Sequence, residues 1–158
     1  EAWELLEDDA RKHDIELQLR CSNPVIVVCM DQVHLSLVLS NLLRNAVEVL
    51  VGYEGQRRIE LCIRQQQDLA LIRIRDYGPG LPLALLGQLG LPFRTAKSHG
   101  LGLGLAICST LLRRANGGLE LENHPEGGVI ATVTLPVHNE QLSCCDEPSQ
   151  TEPPARDR

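Results

Sequence analysis

The chain has 158 residues with 43% hydrophobic and 23% charged, enough for one domain with a single core and incompatible with a wholly disordered chain. The net charge of −6 sits at the ends: residues 1–14 hold six acids against Arg11 and Lys12, and residues 139–158 hold five against Arg156 and Arg158. The near-neutral body lacks a basic stripe, and four aromatics (Trp3, Tyr53, Tyr77, Phe93) make no base-stacking platform, so nucleic acid is not an expected partner.

In chain order, residues 2–13 read as a helix, with Trp3, Leu5, Leu6 and Ala10 near helical spacing among acids. Residues 15–20 alternate as a strand, and Ser22-Asn23-Pro24 predicts a turn. Residues 25–30 (VIVVCM) form a short β-rich run. Asp31 is a good N-cap for a helix from Gln32 to about Val51, stopped by Gly52. Residues 57–65 and 69–75 alternate as half-buried strands. Residues 77–102 are rich in Gly, Pro and Leu, with a short helical turn expected near 83–88. A helix over about 103–115 follows, with Gly117 placed to cap it. Strands over 118–123 and 128–135, joined by a turn at Pro125–Gly127, close the domain. From 139 on, the Ser/Glu/Pro/Asp composition reads as a disordered tail or linker. Helices interspersed with strands on short turns predict an α/β sandwich, a mixed sheet of about five strands with about three helices on one face.

The longest clean apolar run, Val25–Met30, is far short of the ~20 residues a bilayer crossing needs, so no membrane contact is expected of this segment. The chain opens with Glu and shows no signal-peptide pattern, and it is expected to be a piece of a longer protein. Cys21, Cys29, Cys62 and Cys108 are scattered without a C-x-x-C pair, and buried reduced thiols are the expected reading. Cys144-Cys145 stands in the polar tail.

Three segments carry chemistry. In NLLRNAVE (41–48), Asn41, Asn45 and Glu48 are spaced four and three apart and share one helix face. Asn is a mediocre helix former, so two of them in mid-helix have no propensity reason. Their amide oxygens are neutral hard ligands suited to complete a Mg²⁺ shell already supplied with phosphate charge. In RDYGPGLP (75–82), strand parity puts Asp76 on the side of Ile72 and Ile74. If that side faces the core, the carboxylate needs a partner, and the exocyclic amino group of adenine would serve. Gly78 and Gly80 would let a flat base approach the backbone. In KSHGLGLGLAIC (97–108), Gly100, Gly102 and Gly104 run into a helix and can aim backbone N–H groups at phosphates, with Lys97 as a point charge beside them. Taken singly, each has an ordinary explanation: a solvated helix stripe, an Asp/Gly turn, a flexible glycine loop.

Together and in this order, the segments resemble the N, G1, F and G2 boxes of the ATP-binding domain of sensor histidine kinases, of the GHKL superfamily. The matching stretches are NLLRNAVE (41–48), RDYGPGLP (75–82), PFRTAK (92–97) and GLGLGLAI (100–107), and ANGGLELENHPEGGVIATVTLP (115–136) looks like that family's closing hairpin. The resemblance covers about residues 5–136 and looks most like the nitrogen- and oxygen-sensing kinases. It implies a Bergerat-type fold that binds ATP and Mg²⁺. Asn45 would bind the metal, with Asn41 near phosphates or metal and Glu48 where other subfamilies often carry Lys. Asp76 would hold the adenine amino group, and Gly78 and Gly80 would shape the base pocket. Phe93 would anchor a mobile lid over residues 81–99. Thr95 is followed by Ala96 where the family often has a second Thr. Lys97, Gly100, Leu101, Gly102, Leu103 and Gly104 would wrap the phosphates.

Hydrolysing relatives of the superfamily (DNA gyrase, mismatch-repair MutL, a heat-shock chaperone) place a general-base Glu one helical turn before the metal-binding Asn. Here that position is Asn41, whose amide cannot take a proton at neutral pH. No catalytic residue is therefore expected in this lobe beyond those that position ATP. None of His13, His34, His99, His124 and His138 lies in the acid-flanked, Pro-followed helical motif that the family phosphorylates. The resemblance thus implies transfer of the γ-phosphoryl group to a histidine on a separate dimerisation and phosphoacceptor domain, with a downstream response regulator. The location implied is cytoplasmic, on a parent protein that can be membrane-anchored. Residues 1–14 would be a junction helix, 15–138 the ATP-binding domain and 139–158 the tail. The alternatives are a serine kinase of the same fold, as in anti-sigma factors or mitochondrial dehydrogenase kinases, and a non-catalytic nucleotide-binding module.

Overall fold

The computed structural model describes residues 2–22, 25–83 and 103–138. The elements are α1 (Ala2–Lys12), β1 (Glu16–Cys21), α2 (Gln32–Leu50), β2 (Arg58–Gln66), β3 (Leu69–Asp76), α3 (Leu103–Arg114), β4 (Gly118–Asn123) and β5 (Val129–Pro136). They form one sheet in the order β1-β2-β3-β5-β4. β1 runs parallel to β2, because α2 carries the chain back between them, and every other pair is antiparallel.

Strand alternation sets the core. Ile59 and Leu61 of β2, Ala70, Ile72 and Ile74 of β3, and Val133 and Leu135 of β5 are buried, and register stacks Leu61 on Ile74 and Ile72 on Val133. α2 packs on this face against β3, β2, α1 and α3, while α3 also covers β4. Val38, Leu42, Leu43, Ala46, Val47 and Leu50 form the buried side of α2. Each fully buried leucine there contributes roughly 1.5–3 kcal/mol. α2 is long and apolar enough by length and composition to cross a membrane, but its apolar side is the one packed into this core. The expected α/β sandwich is the fold observed, with five strands and three helices among the described residues.

Caps explain the helix limits. Asp31 accepts from the N–H groups of Val33 and His34 at 2.9 and 3.1 Å, as an N-cap should. The end of α3 corrects the sequence expectation. Its left-handed residue is Asn116 (φ 54), not Gly117. The N–H of Gly117 donates to Leu112 O at 2.8 Å and that of Asn116 to Arg113 O at 3.1 Å, the two bonds of a Schellman motif. Asn tolerates the left-handed region, so the glycine is needed for space instead: a Cβ at 117 would sit 2.4 Å from Thr134 O. α1 ends the same way on Asp14 (φ 52), with the N–H of Ile15 donating to Ala10 O.

Two further expectations change. Residues 25–30 are not a strand: they make a single bridge, Val28 to Val137, and Val25 and Val27 are exposed. The run meets the sheet only at the stub beyond Pro136 before Asp31 starts α2. Nor are the cysteines uniformly buried: Cys108 is, Cys62 is half-buried, and Cys21 and Cys29 are exposed. Cys29 Sγ lies 3.1 Å from His138 Nδ1. Burial pushes the Cys108 thiol up to about 11. Under native conditions iodoacetamide is expected to label Cys21 and Cys29 while sparing Cys108 until the chain unfolds. Peptide mass mapping checks this, and equal labelling of Cys108 and Cys29 would contradict the packing. The helical turn expected near 83–88 falls, apart from Leu83, outside the described residues, as does the tail from 139.

Candidate functional site

Asp76 ends β3, opposite Ile59 of β2, on the core side of the sheet as strand parity predicts. It is the only buried charged or polar side chain among the described residues, 7% exposed. Its Oδ1 accepts the N–H of Gly78 at 2.9 Å and that of Val129 at 3.3 Å. Burial raises its pKa above the ordinary carboxylate value; the two backbone N–H groups and the Arg75 charge pull the other way. Such a carboxylate gains from any further donor brought to it.

The turn after Asp76 is built for close approach. A Cβ at Gly78 would lie 3.0 Å from Asp76 Oδ1 and 3.3 Å from Val49 Cγ1, so the turn rests directly on the C-terminal end of α2. Gly80 is left-handed at φ 81. At the other end of the site, a Cβ at Gly104 would come 3.1 Å from Asn41 Oδ1, so the start of α3 rests on the middle of α2. Asn41 and Asn45 are half-buried and Glu48 is exposed. The stripe Asn41–Asn45–Glu48 therefore runs along α2 from the start of α3 toward the Asp76 turn, a length of ~10 Å. Leu103 opens α3. Phe93, Thr95, Lys97, Gly100, Leu101 and Gly102 lie outside the described residues, as does most of the expected lid.

Several residues of this site escape a reading of the sequence. Tyr77, next to Asp76, has the guanidinium groups of Arg75 and Arg58 over its ring at 4.0 and 4.6 Å. Arg58 Nη2 also donates to the Tyr77 hydroxyl at 3.1 Å and pairs closely with Glu60. Arg75 Nη2 reaches Glu126 only at 3.6 Å, too long for a hydrogen bond, and its burial is offset by the ring contact and by the nearby charges of Glu126 and Asp76. The β4–β5 turn contributes Val129, Gly128 and Asn123. A Cβ at Gly128 would sit 1.9 Å from Asp76 O. These contacts join positions about 50 apart in the chain, and only the general likeness to a closing hairpin hinted that the segment belongs here.

The family model described as histidine kinase-, DNA gyrase B-, and HSP90-like ATPase matches residues 30–139, a span that contains α2, the Asp76 turn, α3 and the closing hairpin. The chain belongs to this family. It is 35% identical over 137 residues to the C4-dicarboxylate transport sensor protein DctB of Pseudomonas aeruginosa, covering 85% of this chain and 22% of that protein. Sporulation kinase D of Bacillus subtilis is 31% identical over 124 residues, covering 78% of this chain and 24% of that protein. Among solved structures, the catalytic domain of histidine kinase ThkA superposes with a TM-score of 0.75 at 28% identity, covering 85% of this chain and 87% of that one. The chain spans less than a quarter of the length of these two curated relatives. In sensor histidine kinases the ATPase-family domain is the ATP-binding catalytic one, and the Bergerat-type sandwich described above is its fold. Membership in this ATPase family makes the domain a nucleotide-binding one.

Proposed function

We propose that this domain binds MgATP between α2 and the Asp76 turn, and presents the γ-phosphoryl group to a histidine on a separate dimerisation and phosphoacceptor domain. The observation that carries this is Asp76: a buried carboxylate with a raised pKa, one oxygen already occupied by backbone, followed by a glycine at which any side chain would crowd that carboxylate. Its partner would be the exocyclic amino group of adenine, and Gly78 and Gly80 would shape the base pocket. From there the stripe on α2 leads to the start of α3, so a nucleotide with its base at Asp76 would extend its phosphates toward Asn45, Asn41 and Gly104. Phe93, Thr95, Lys97, Gly100, Leu101, Gly102 and Leu103 would close over them.

The donor set suits magnesium held jointly with phosphate. Among the described residues no three acidic, His or Cys side chains converge, while Asn45 and Asn41 offer hard, neutral oxygens. Glycine at 104 keeps a side chain from crowding Asn41 Oδ1. Bound there, Mg²⁺ would supply positive charge against the phosphate oxygens. Asn45→Ala is expected to weaken ATP binding by roughly tenfold or more with Mg²⁺ and by only about twofold without it. Equal losses in both titrations would make Asn45 structural.

Transfer, rather than hydrolysis, follows from Asn41. An amide at that place positions a phosphate or metal and cannot deprotonate water. The chain's contribution is to bind, orient and hold the γ-phosphoryl group for an incoming acceptor. Residues 1–14 would join the lobe to its acceptor domain, 15–138 form the ATP-binding unit, and a response regulator would take the phosphoryl group onward, on the cytoplasmic side where ATP is supplied. Calorimetric titration of MgATP into the chain, followed by a phosphate-release assay, tests this. Saturable binding with little release is expected. Absence of binding would remove ATP as the ligand, and rapid release would replace transfer by hydrolysis.

A further inference from the structure

The side chain of Asn123 makes an unusual pair of contacts with a residue 42 positions away. Its Oδ1 accepts the backbone N–H of Leu81 at 2.8 Å, and its Nδ2 donates to the carbonyl of the same residue at 2.7 Å. One amide thus does for Leu81 what a neighbouring strand would do. Its orientation is fixed by chemistry, since the flipped amide would set donor against donor and acceptor against acceptor. Leu81 directly follows Gly80, whose left-handed φ of 81 places it against Asn123: a Cβ at 80 would come 3.2 Å from Asn123 Oδ1. The same hairpin turn sends the N–H of Val129 to Asp76 Oδ1. Both ends of the Asp76–Leu81 turn are therefore tied to one element, Asp76 through Val129 and Leu81 through Asn123. Neither Asn123 nor Leu81 belongs to the hydrophobic core cluster.

We propose that Asn123 is a positioning residue of the nucleotide pocket, clamping Leu81 so that the base end of the pocket is preformed before nucleotide arrives. The inference rests on Asp76 receiving the base. Without the clamp, Gly80 and Leu81 sample other conformations, and binding must first order them. Because the clamp acts at the base end, its loss falls equally on every adenine nucleotide. Asn45, by contrast, acts where phosphates differ.

The test is calorimetry of MgATP and of ADP with wild type, Asn123→Ala, Asn123→Asp and Asp76→Asn, well below the unfolding midpoint. Asn123→Ala is expected to weaken both nucleotides by roughly tenfold, the factor that ~1.4 kcal/mol makes, leaving their ratio unchanged. Asn123→Asp keeps an acceptor for the Leu81 N–H but sets a carboxylate oxygen against the Leu81 carbonyl, so it is expected to bind no better than Asn123→Ala. Hydrogen exchange of the wild-type Leu81 amide adds a readout that needs no variant: it is expected to be protected without nucleotide. Unchanged affinities in Asn123→Ala, a loss confined to MgATP, or an unprotected Leu81 amide would each overturn the positioning role. Normal binding by Asp76→Asn would instead overturn the pocket assignment on which it rests.

Discussion

Asp76→Asn is expected to abolish detectable MgATP binding while leaving the fold at least as stable as wild type at neutral pH. The two halves of this expectation come from the same pair of bonds. Asp76 Oδ1 accepts from the N–H groups of Gly78 and Val129. An asparagine here must keep its one oxygen toward those two donors, so its NH₂ takes the place of the other carboxylate oxygen. A donor then faces the amino group of adenine where an acceptor is needed. Losing a charge-assisted bond and leaving two donors opposed costs roughly 3 kcal/mol or more, beyond a hundredfold in affinity. Stability moves the other way. The folded-state pKa of Asp76 is raised, with burial the main cause. The folded protein therefore holds this proton more tightly than the unfolded chain does. Wild-type stability falls as pH rises from the ordinary carboxylate value through the raised one, and the burial penalty is fully present above it. The neutral amide removes that pH dependence. Calorimetry with thermal unfolding at pH 5 and pH 7.5 reads both effects. Wild-type affinity in the variant would sink the adenine assignment, and a large loss of thermal stability would show that the charge itself holds the turn.

What was legible in the sequence was mostly local. Period and caps predict α2 from Asp31 to the end of its apolar stripe, and alternation predicts β2 and β3 as half-buried strands; parity groups Asp76 with Ile72 and Ile74, and that side is the buried one. The misreadings share a cause as well. VIVVCM has strand composition, but between the end of β1 and the N-cap at Asp31 it makes only a single bridge, to Val137. Asn116 and Gly117 both satisfy the sequence rule for ending a helix. It is Asn116 that turns left-handed, and glycine is required at 117 because Thr134 O leaves no room there for a Cβ. Cys29 looks like a core thiol only if its segment is a strand. The brace behind the site, Asn123 on Leu81 and Val129 on Asp76, is invisible to any local pattern because it joins positions 42 and 53 apart.

That brace carries the second large effect. Gly128→Ala is expected to cost the domain roughly 3 kcal/mol or more and to lower its unfolding midpoint by about 10 °C. Gly127→Ala is the matched comparison. Both glycines are left-handed, at φ 84 and φ 100, so either alanine carries backbone strain of about 1–2 kcal/mol. They differ in surroundings. A Cβ at 127 meets nothing closer than Gly78 O at 3.7 Å, whereas one at 128 would lie 1.9 Å from Asp76 O and 2.8 Å from Asp76 C. Those atoms are backbone in β3, which is held between β2 and β5 and has no flexible end to move aside. The hairpin must shift instead, and it takes the N–H of Val129 away from Asp76 Oδ1. Nucleotide affinity is therefore expected to fall in Gly128→Ala even at temperatures where the variant is fully folded, while Gly127→Ala loses stability alone. Thermal unfolding and MgATP titration of the two variants side by side separate strain from collision. Equal losses of stability would mean that the hairpin adapts to both, and that the contact between Gly128 and Asp76 does not hold the pocket in place.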